Sequence, residues 1–210
     1  MSDVTTLLSI AGQSWGTTAV SRDHPLIMQA GDRATEWYTL LSQRNGFFAF
    51  ESALHVFALG DGDDPYDAAR WNRPDVWTHT YGELATGYLF FAEDIFGDQF
   101  CFHDQRIWRF TAETGEVELV AETLKAWAQH ILADYDVETG YPLAHAWQAQ
   151  HGPLATTDRL LPRIPFVLGG AFEIANLYTI DRIKGMTFRG YLAQQLQRFP
   201  DKTKIRLKVV

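Results

Sequence analysis

The strongest constraint on the fold of this chain is a series of short apolar segments between residues 87 and 120. Apolar and polar residues alternate within the segments, and Gly, Asp or Thr-Gly separates them. Alternation predicts β-strands, because successive side chains of a strand point to opposite faces of a sheet. The expected strands span 87–92, 98–103, 106–110 and 116–120. Connections this short join neighbouring strands of an antiparallel meander.

Helical patterns flank these strands. Residues 34–43 carry apolar side chains at helical spacing, and Asn45-Gly46 then supplies residues that tolerate the left-handed conformation of a helix end. Residues 124–135 repeat the helical spacing and predict a helix that covers the sheet. We therefore expect an α+β fold, with a mostly antiparallel twisted sheet covered by helices and a small α+β extension at the C-terminus.

Composition narrows the classes of partner. The 210 residues carry a formal net charge of -8 and include 46% hydrophobic residues, enough for a packed core. A negative charge disfavours nucleic acid, whose phosphates would repel it, and suits either a basic protein partner or simply good solubility. The single Cys excludes an internal disulfide. No segment approaches the ~18 apolar residues that span a bilayer, so a cytoplasmic location without membrane contact is expected.

Cys101 and His103 are the residues most suggestive of catalysis. They lie two residues apart in a predicted strand, so both would point to one face, as a Cys-His pair requires. Cys101 is flanked by two Phe residues, an apolar setting that favours a neutral thiol. We interpret the pair as structural, and a hydrolase that uses it ranks last among the functions considered.

The segment 60–75 is acidic and rich in turn-forming residues, which predicts an exposed loop. Its carboxylates are of the type that Ca²⁺ and Mg²⁺ prefer, but the EF-hand spacing is absent, so neither a metal nor another cofactor is predicted. Aromatic residues in the same loop either fold back onto the core or serve as interface anchors for a basic partner. The candidate interface residues are Asp61, Asp63, Asp64, Tyr66, Asp67 and Trp71.

Three stretches within residues 34–134 together resemble one protein family. They are the helix end "LLSQRNGF", the strands "YLFFAEDIFGDQFCFHDQRIWRF" with Phe-Gly-Asp after an acidic pair, and the helix "AETLKAWAQHIL". This arrangement resembles the SMI1/KNR4 superfamily, also called SUKH. The resemblance implies an α+β fold without catalytic residues.

The later stretch "HGPLATTDRLLPRIPFVLGGAFEIANLYTI" shows a second resemblance. Its Gly-Pro-Leu start, the acidic Asp158, the Leu168-Gly169-Gly170 turn and Asn176 resemble the C-terminal domain of type VI secretion immunity proteins. The sequence departs from that pattern at 160–162, where Leu-Leu-Pro replaces an aromatic-Gly step.

Together the resemblances imply a bacterial immunity protein that binds a cognate toxin in the cytoplasm and blocks it. They imply no transferable contact residues, so the acidic loop is the candidate toxin interface on charge alone. The alternative is a regulatory or scaffolding module, which other members of the superfamily represent. We expect an SMI1/KNR4-like domain over residues 1–134 and an α+β extension over 135–210, and we leave a homodimer open.

Overall fold

The computed structural model describes residues 3–60 and 64–198, which form an α+β fold. The elements in these residues are α1 (Asp3–Ile10), α2 (Pro25–Gln29), α3 (Ala34–Gln43), β1 (Phe47–Ala49), β2 (Leu54–Val56), α4 (Ala68–Trp71), β3 (Leu89–Asp94), β4 (Gln99–His103), β5 (Arg106–Phe110), β6 (Val117–Ala121), α5 (Leu124–Ala133), α6 (Tyr135–Thr139), α7 (Tyr141–His151), β7 (Asp158–Pro162), β8 (Leu177–Asp181) and α8 (Arg182–Leu196). Short 3₁₀ segments span Gly31–Arg33, Thr78–Ala85, Phe166–Leu168 and Ile174–Asn176.

The main sheet is a six-stranded antiparallel meander in the order β1 to β6, which confirms the predicted fold class. The tight β4–β5 connection is formed by Asp104 and Gln105, whose φ angles are 47° and 61°. Positive φ at both central residues gives a turn whose twist matches that of the flanking strands. The chain thereby returns directly along β4.

Both faces of the sheet are covered. On one face Trp127 of α5 packs against Phe91, with ring centroids 5.2 Å apart. On the other, Trp77 packs against Phe90 at 4.9 Å. Adjacent residues of β3 therefore serve opposite layers, and all six residues of that strand are buried.

The C-terminal elements build a smaller layer against the end of the main sheet. Strands β7 and β8 pair as an antiparallel hairpin, and Leu160, Leu177 and Trp147 belong to a second, smaller apolar cluster. Helix α8 packs on the main core, where its Met186 and Ala193 are buried. The predicted domain boundary at residue 134 stays a prediction, and residues 199–210 of the predicted extension lie outside the described residues.

Candidate functional site

The acidic loop does not present the predicted interface as one exposed surface. Asp61 and Asp63 lie outside the described residues, and Asp64 is half-buried. The structure contradicts the surface assignment for Tyr66, Asp67 and Trp71, because all three are buried. Their side chains complete the core, so they cannot contact a partner from the surface.

Each buried residue of this loop has a structural partner. The Asp67 carboxylate caps α4 by accepting a hydrogen bond from the Ala69 amide at 2.8 Å, so part of the predicted loop is helical. The Trp71 indole N–H donates to Gln99 Oε1 at 2.9 Å. The Tyr66 hydroxyl donates to the Asp181 carboxylate. A role in binding for the acidic residues Asp61, Asp63 and Asp64 stays a prediction.

A buried ionic cluster lies beneath this loop and consists of Glu93, His55, Arg159 and Arg182, which we call the Glu93 cluster. Glu93 Oε1 is 2.7 Å from Arg159 Nη2 and 2.9 Å from Arg182 Nη1. The Arg182 contact is also a hydrogen bond, whereas the Arg159 contact is an ion pair without hydrogen-bond alignment. The guanidinium of Arg182 lies 3.9 Å from the Tyr66 ring centroid and stacks on it.

Charge in the Glu93 cluster is set by burial and by the arginines. Burial alone would raise the pKa of Glu93, but Arg159 and Arg182 outweigh it and hold the pKa well below its usual range. Burial, with Arg182 as the second cause, lowers the pKa of His55 to about 3, so the ring is neutral. One carboxylate thus faces two guanidinium groups. The cluster joins β2 and β3 to β7 and α8.

The Cys101 and His103 pair does not form a catalytic dyad. Burial raises the pKa of the Cys101 thiol, which keeps it protonated, and its Sγ lies 3.6 Å from the carbonyl oxygen of Trp108. His103 Nδ1 lies 3.1 Å from the carbonyl oxygen of Gly87. The thiol is fully buried, so it is not presented to a substrate.

Exposed apolar side chains concentrate instead on the connection between β7 and β8, residues 163–176, which we call the aromatic loop. Ile164, Val167 and Phe172 are 56%, 45% and 64% exposed. Phe166 and Phe172 stack in parallel with ring centroids 3.9 Å apart. Large apolar side chains that stay in water at one place on a surface mark an interaction site more often than scattered ones do.

Hydrogen bonds hold the aromatic loop in a defined shape. The Asn176 side chain accepts from the Ile164 amide at 2.9 Å and donates to the carbonyl oxygens of Ile164 and Ala171, each at 3.0 Å. From the main sheet side, the Glu113 carboxylate accepts from the amides of Phe166 and Val167 at 3.1 and 2.8 Å. The loop is therefore preorganised, which lowers the entropy cost of binding.

A cavity of about 240 Å³ opens between this loop and the β5–β6 end of the main sheet. Its apolar walls include Phe96, Phe166 and Phe172, and its polar groups include Asp98, Glu113 and Arg189. Arg189 is only 3% exposed, and its Nε–H has no hydrogen-bond acceptor among the described residues. Burial raises the pKa of Glu113, although the two amide hydrogen bonds oppose this effect.

The remaining features of the described residues give weaker indications of a binding site. A wider cavity of about 430 Å³ lies between α1, α3 and α5, but its Glu36 carboxylate already accepts from Arg33 and from the Leu124 amide. Within residues 3–60 and 64–198, no three His, Cys, Asp or Glu side chains are placed to hold a metal ion. In those same ranges, none of the helices combines the length and apolar character needed to cross a bilayer.

Sequence reasoning missed both the Glu93 cluster and the aromatic loop. Charged residues such as Arg159 and Arg182 are ordinarily exposed, and nothing in their local sequence marks them as buried. The stretch "RIPFVLGGAFEIANLYTI" predicts a strand, a Gly-Gly turn and another extended or turning segment, whereas the structure has 3₁₀ segments at Phe166–Leu168 and Ile174–Asn176. The turn itself is present, with Gly169 at a φ of 88°, but its pattern does not predict the exposed apolar side chains around it.

The comparisons with known proteins inform the fold. No family model matches this chain, and no curated protein matches it. Among solved structures, a crystal structure of Atu4351 from Agrobacterium tumefaciens is similar, with a TM-score of 0.58. The two sequences are 11% identical, and the alignment covers 88% of this chain and 86% of that chain. At this identity the likeness shows a shared fold and nothing about activity.

Proposed function

We propose that this chain is a non-catalytic immunity protein that binds and neutralises a cognate protein toxin. The observation that carries the proposal is the aromatic loop, on which Ile164, Val167 and Phe172 stay exposed although hydrogen bonds fix the backbone around them. Rigid aromatic and aliphatic anchors beside a preformed cavity are the features that protein interfaces use. We therefore assign the contact surface to the aromatic loop in place of the acidic loop.

Charge and sequence resemblance support the class of partner. A net charge of -8 favours association with a basic protein by raising the rate of encounter. The SMI1/KNR4-like stretches over residues 34–134 and the immunity-like stretch that begins at His151 support a toxin as the kind of partner. The protein would act by covering the toxin's active site or its substrate surface, and this needs no cofactor.

The test combines capture with neutralisation. The full chain serves as bait in lysate from its native cells, and the retained partner is purified and expressed alone to measure its toxicity. An immunity protein is expected to bind the partner stoichiometrically and to restore growth when both are expressed. A stoichiometric partner that has no toxic activity would overturn immunity and support a regulatory or scaffolding module instead.

The contact surface is tested with matched Phe substitutions. Phe172→Ala removes an anchor of the aromatic loop, while Phe188→Ala removes a comparably exposed ring on α8, outside that loop. Phe172→Ala should weaken the affinity for the purified partner by tenfold or more, which is about 1.4 kcal/mol. Phe188→Ala should leave the affinity within about twofold. Equal affinities of both variants and the wild type would refute the assigned surface.

A further inference from the structure

The cavity beside the aromatic loop has the shape of a slot for one aromatic ring. Phe166 and Phe172 stack on each other, and Phe96 meets Phe166 edge-on with ring centroids 5.3 Å apart. The volume of about 240 Å³ exceeds the roughly 150 Å³ of an engineered apolar cavity that binds benzene. Offset and edge-to-face contacts with these rings would add to the burial of an aromatic ligand.

The polar groups of the cavity restrict what the ring can carry. Arg189 is buried with an unpaired Nε–H, while its Nη1 donates to the Phe96 carbonyl oxygen and its Nη2 lies 3.2 Å from the Met186 sulfur. An unpaired buried donor is costly, so a ligand that supplies an acceptor gains affinity. Asp98 and Glu113 line the same cavity. Asp98 already accepts from the Ala112 amide and Glu113 from the Phe166 and Val167 amides, but each carboxylate oxygen has a further lone pair that can accept from a ligand that donates.

Charged ligands fit this set poorly. A carboxylate would satisfy Arg189 but face Asp98 and Glu113, whereas an ammonium group would face Arg189 and leave its Nε–H unpaired. A neutral hydroxyl both accepts and donates, so it can accept from Arg189 and donate to one of the carboxylates. Among protein side chains, a planar aromatic body with a hydroxyl at its tip is tyrosine.

We propose that this cavity binds a phenol, and that its natural occupant is a tyrosine side chain of the partner protein. The second half of this inference rests on the proposed function, because the tyrosine belongs to the toxin. Tyrosine is enriched at interfaces, where its ring is buried and its hydroxyl finds a partner. The first half, that the cavity binds a phenol, concerns the isolated chain and can be tested without any toxin.

Two small probes test the hydroxyl. N-acetyl-tyrosinamide and N-acetyl-phenylalaninamide are titrated separately into the ¹⁵N-labelled full chain, and amide shifts are followed by NMR. The tyrosine probe should shift the amides of Phe166 and Val167, which Glu113 holds at the cavity wall. It should bind about tenfold more tightly than the phenylalanine probe, since the two probes share the same amide groups and only the tyrosine ring adds a hydroxyl that can pair with Arg189. Equal binding of the two probes, or no shift with either, overturns the proposal.

The location is tested with the same pair of variants. Phe172→Ala removes a wall of the cavity and should abolish the shifts from the tyrosine probe, while Phe188→Ala should preserve them. Both positions are exposed, so neither change threatens the fold. If the tyrosine probe binds but the captured partner has no toxic activity, the proposed function is overturned and the phenol site stands. A neutralised toxin without probe binding would overturn the phenol site alone.

Discussion

Replacing Glu93 with Gln removes one negative charge from the core with almost no change of shape. The two guanidinium groups then lose the carboxylate that lies 2.7 and 2.9 Å from them. At an effective dielectric of about 20, unit charges about 4 Å apart attract by about 4 kcal/mol, and desolvation of the ions offsets much of this gain. Breaking a buried pair by removing one partner costs about 3–5 kcal/mol, because the remaining charge stays buried.

For Glu93→Gln we expect the free energy of unfolding to fall by about 3–5 kcal/mol. In a chain of this size each kcal/mol lowers Tm by about 2–4 °C, so a decrease of about 6–20 °C should follow. Urea denaturation monitored by circular dichroism measures the first quantity, and a thermal scan measures the second. The m-value should not change if both proteins unfold in one step.

The matched control for this prediction is Glu118→Gln. Glu118 is 66% exposed and lies 3.8 Å from Arg109, so solvent screens the pair and its loss should cost about 0–1 kcal/mol. A loss below about 1 kcal/mol in Glu93→Gln, indistinguishable from this control, would refute the claim that the Glu93 cluster stabilises the fold through its charge.

Three further outcomes follow from buried groups. Because the pKa of His55 falls to about 3 in the folded protein, the unfolded chain binds an extra proton below pH ~6.5, and this residue should contribute a decrease in stability between pH 7 and 5 of up to about 1.4 kcal/mol per unit. Urea denaturation should show a smaller decrease in His55→Gln and the wild-type decrease in the exposed control His145→Gln. Trp71→Ala should cost about 3–5 kcal/mol, as a core residue does, and a near-zero cost in urea denaturation would contradict its burial. The Cys101 thiol should react with a disulfide reagent only as fast as the protein unfolds, and rapid labelling of the folded chain would contradict the buried thiol.

The meander could be predicted from sequence because the residues that define each strand and turn are close together in the chain. Alternation and short turns define each hairpin, and even Asp104-Gln105, a weaker turn signal than Asn-Gly, adopts positive φ at both residues. Asp67 illustrates a local signal that the loop interpretation overlooked, since Asp is a preferred helix cap and α4 begins after it.

The candidate site could not be predicted because it is formed by residues that are far apart in the sequence. Glu93 meets Arg182 across 89 positions of sequence, and each residue alone looks like an ordinary surface charge. The cavity likewise needs Phe96 and Arg189 to meet the aromatic loop. The buried Trp71 packs on Phe57 and Trp77 and donates to Gln99, contacts that the composition of the acidic loop gives no reason to expect.

The span between Glu93 and Arg182 also governs the order of events during synthesis. A ribosome adds roughly 5–20 residues per second, so the 89 positions between them correspond to about 4–18 s. Arg159 is synthesised partway through that interval, whereas Arg182 is absent until its end, so the carboxylate lacks at least one of its two cationic partners throughout. The Glu93 cluster is therefore completed only after Arg182 has been synthesised, so its contribution to the packing of the central strands comes late in synthesis.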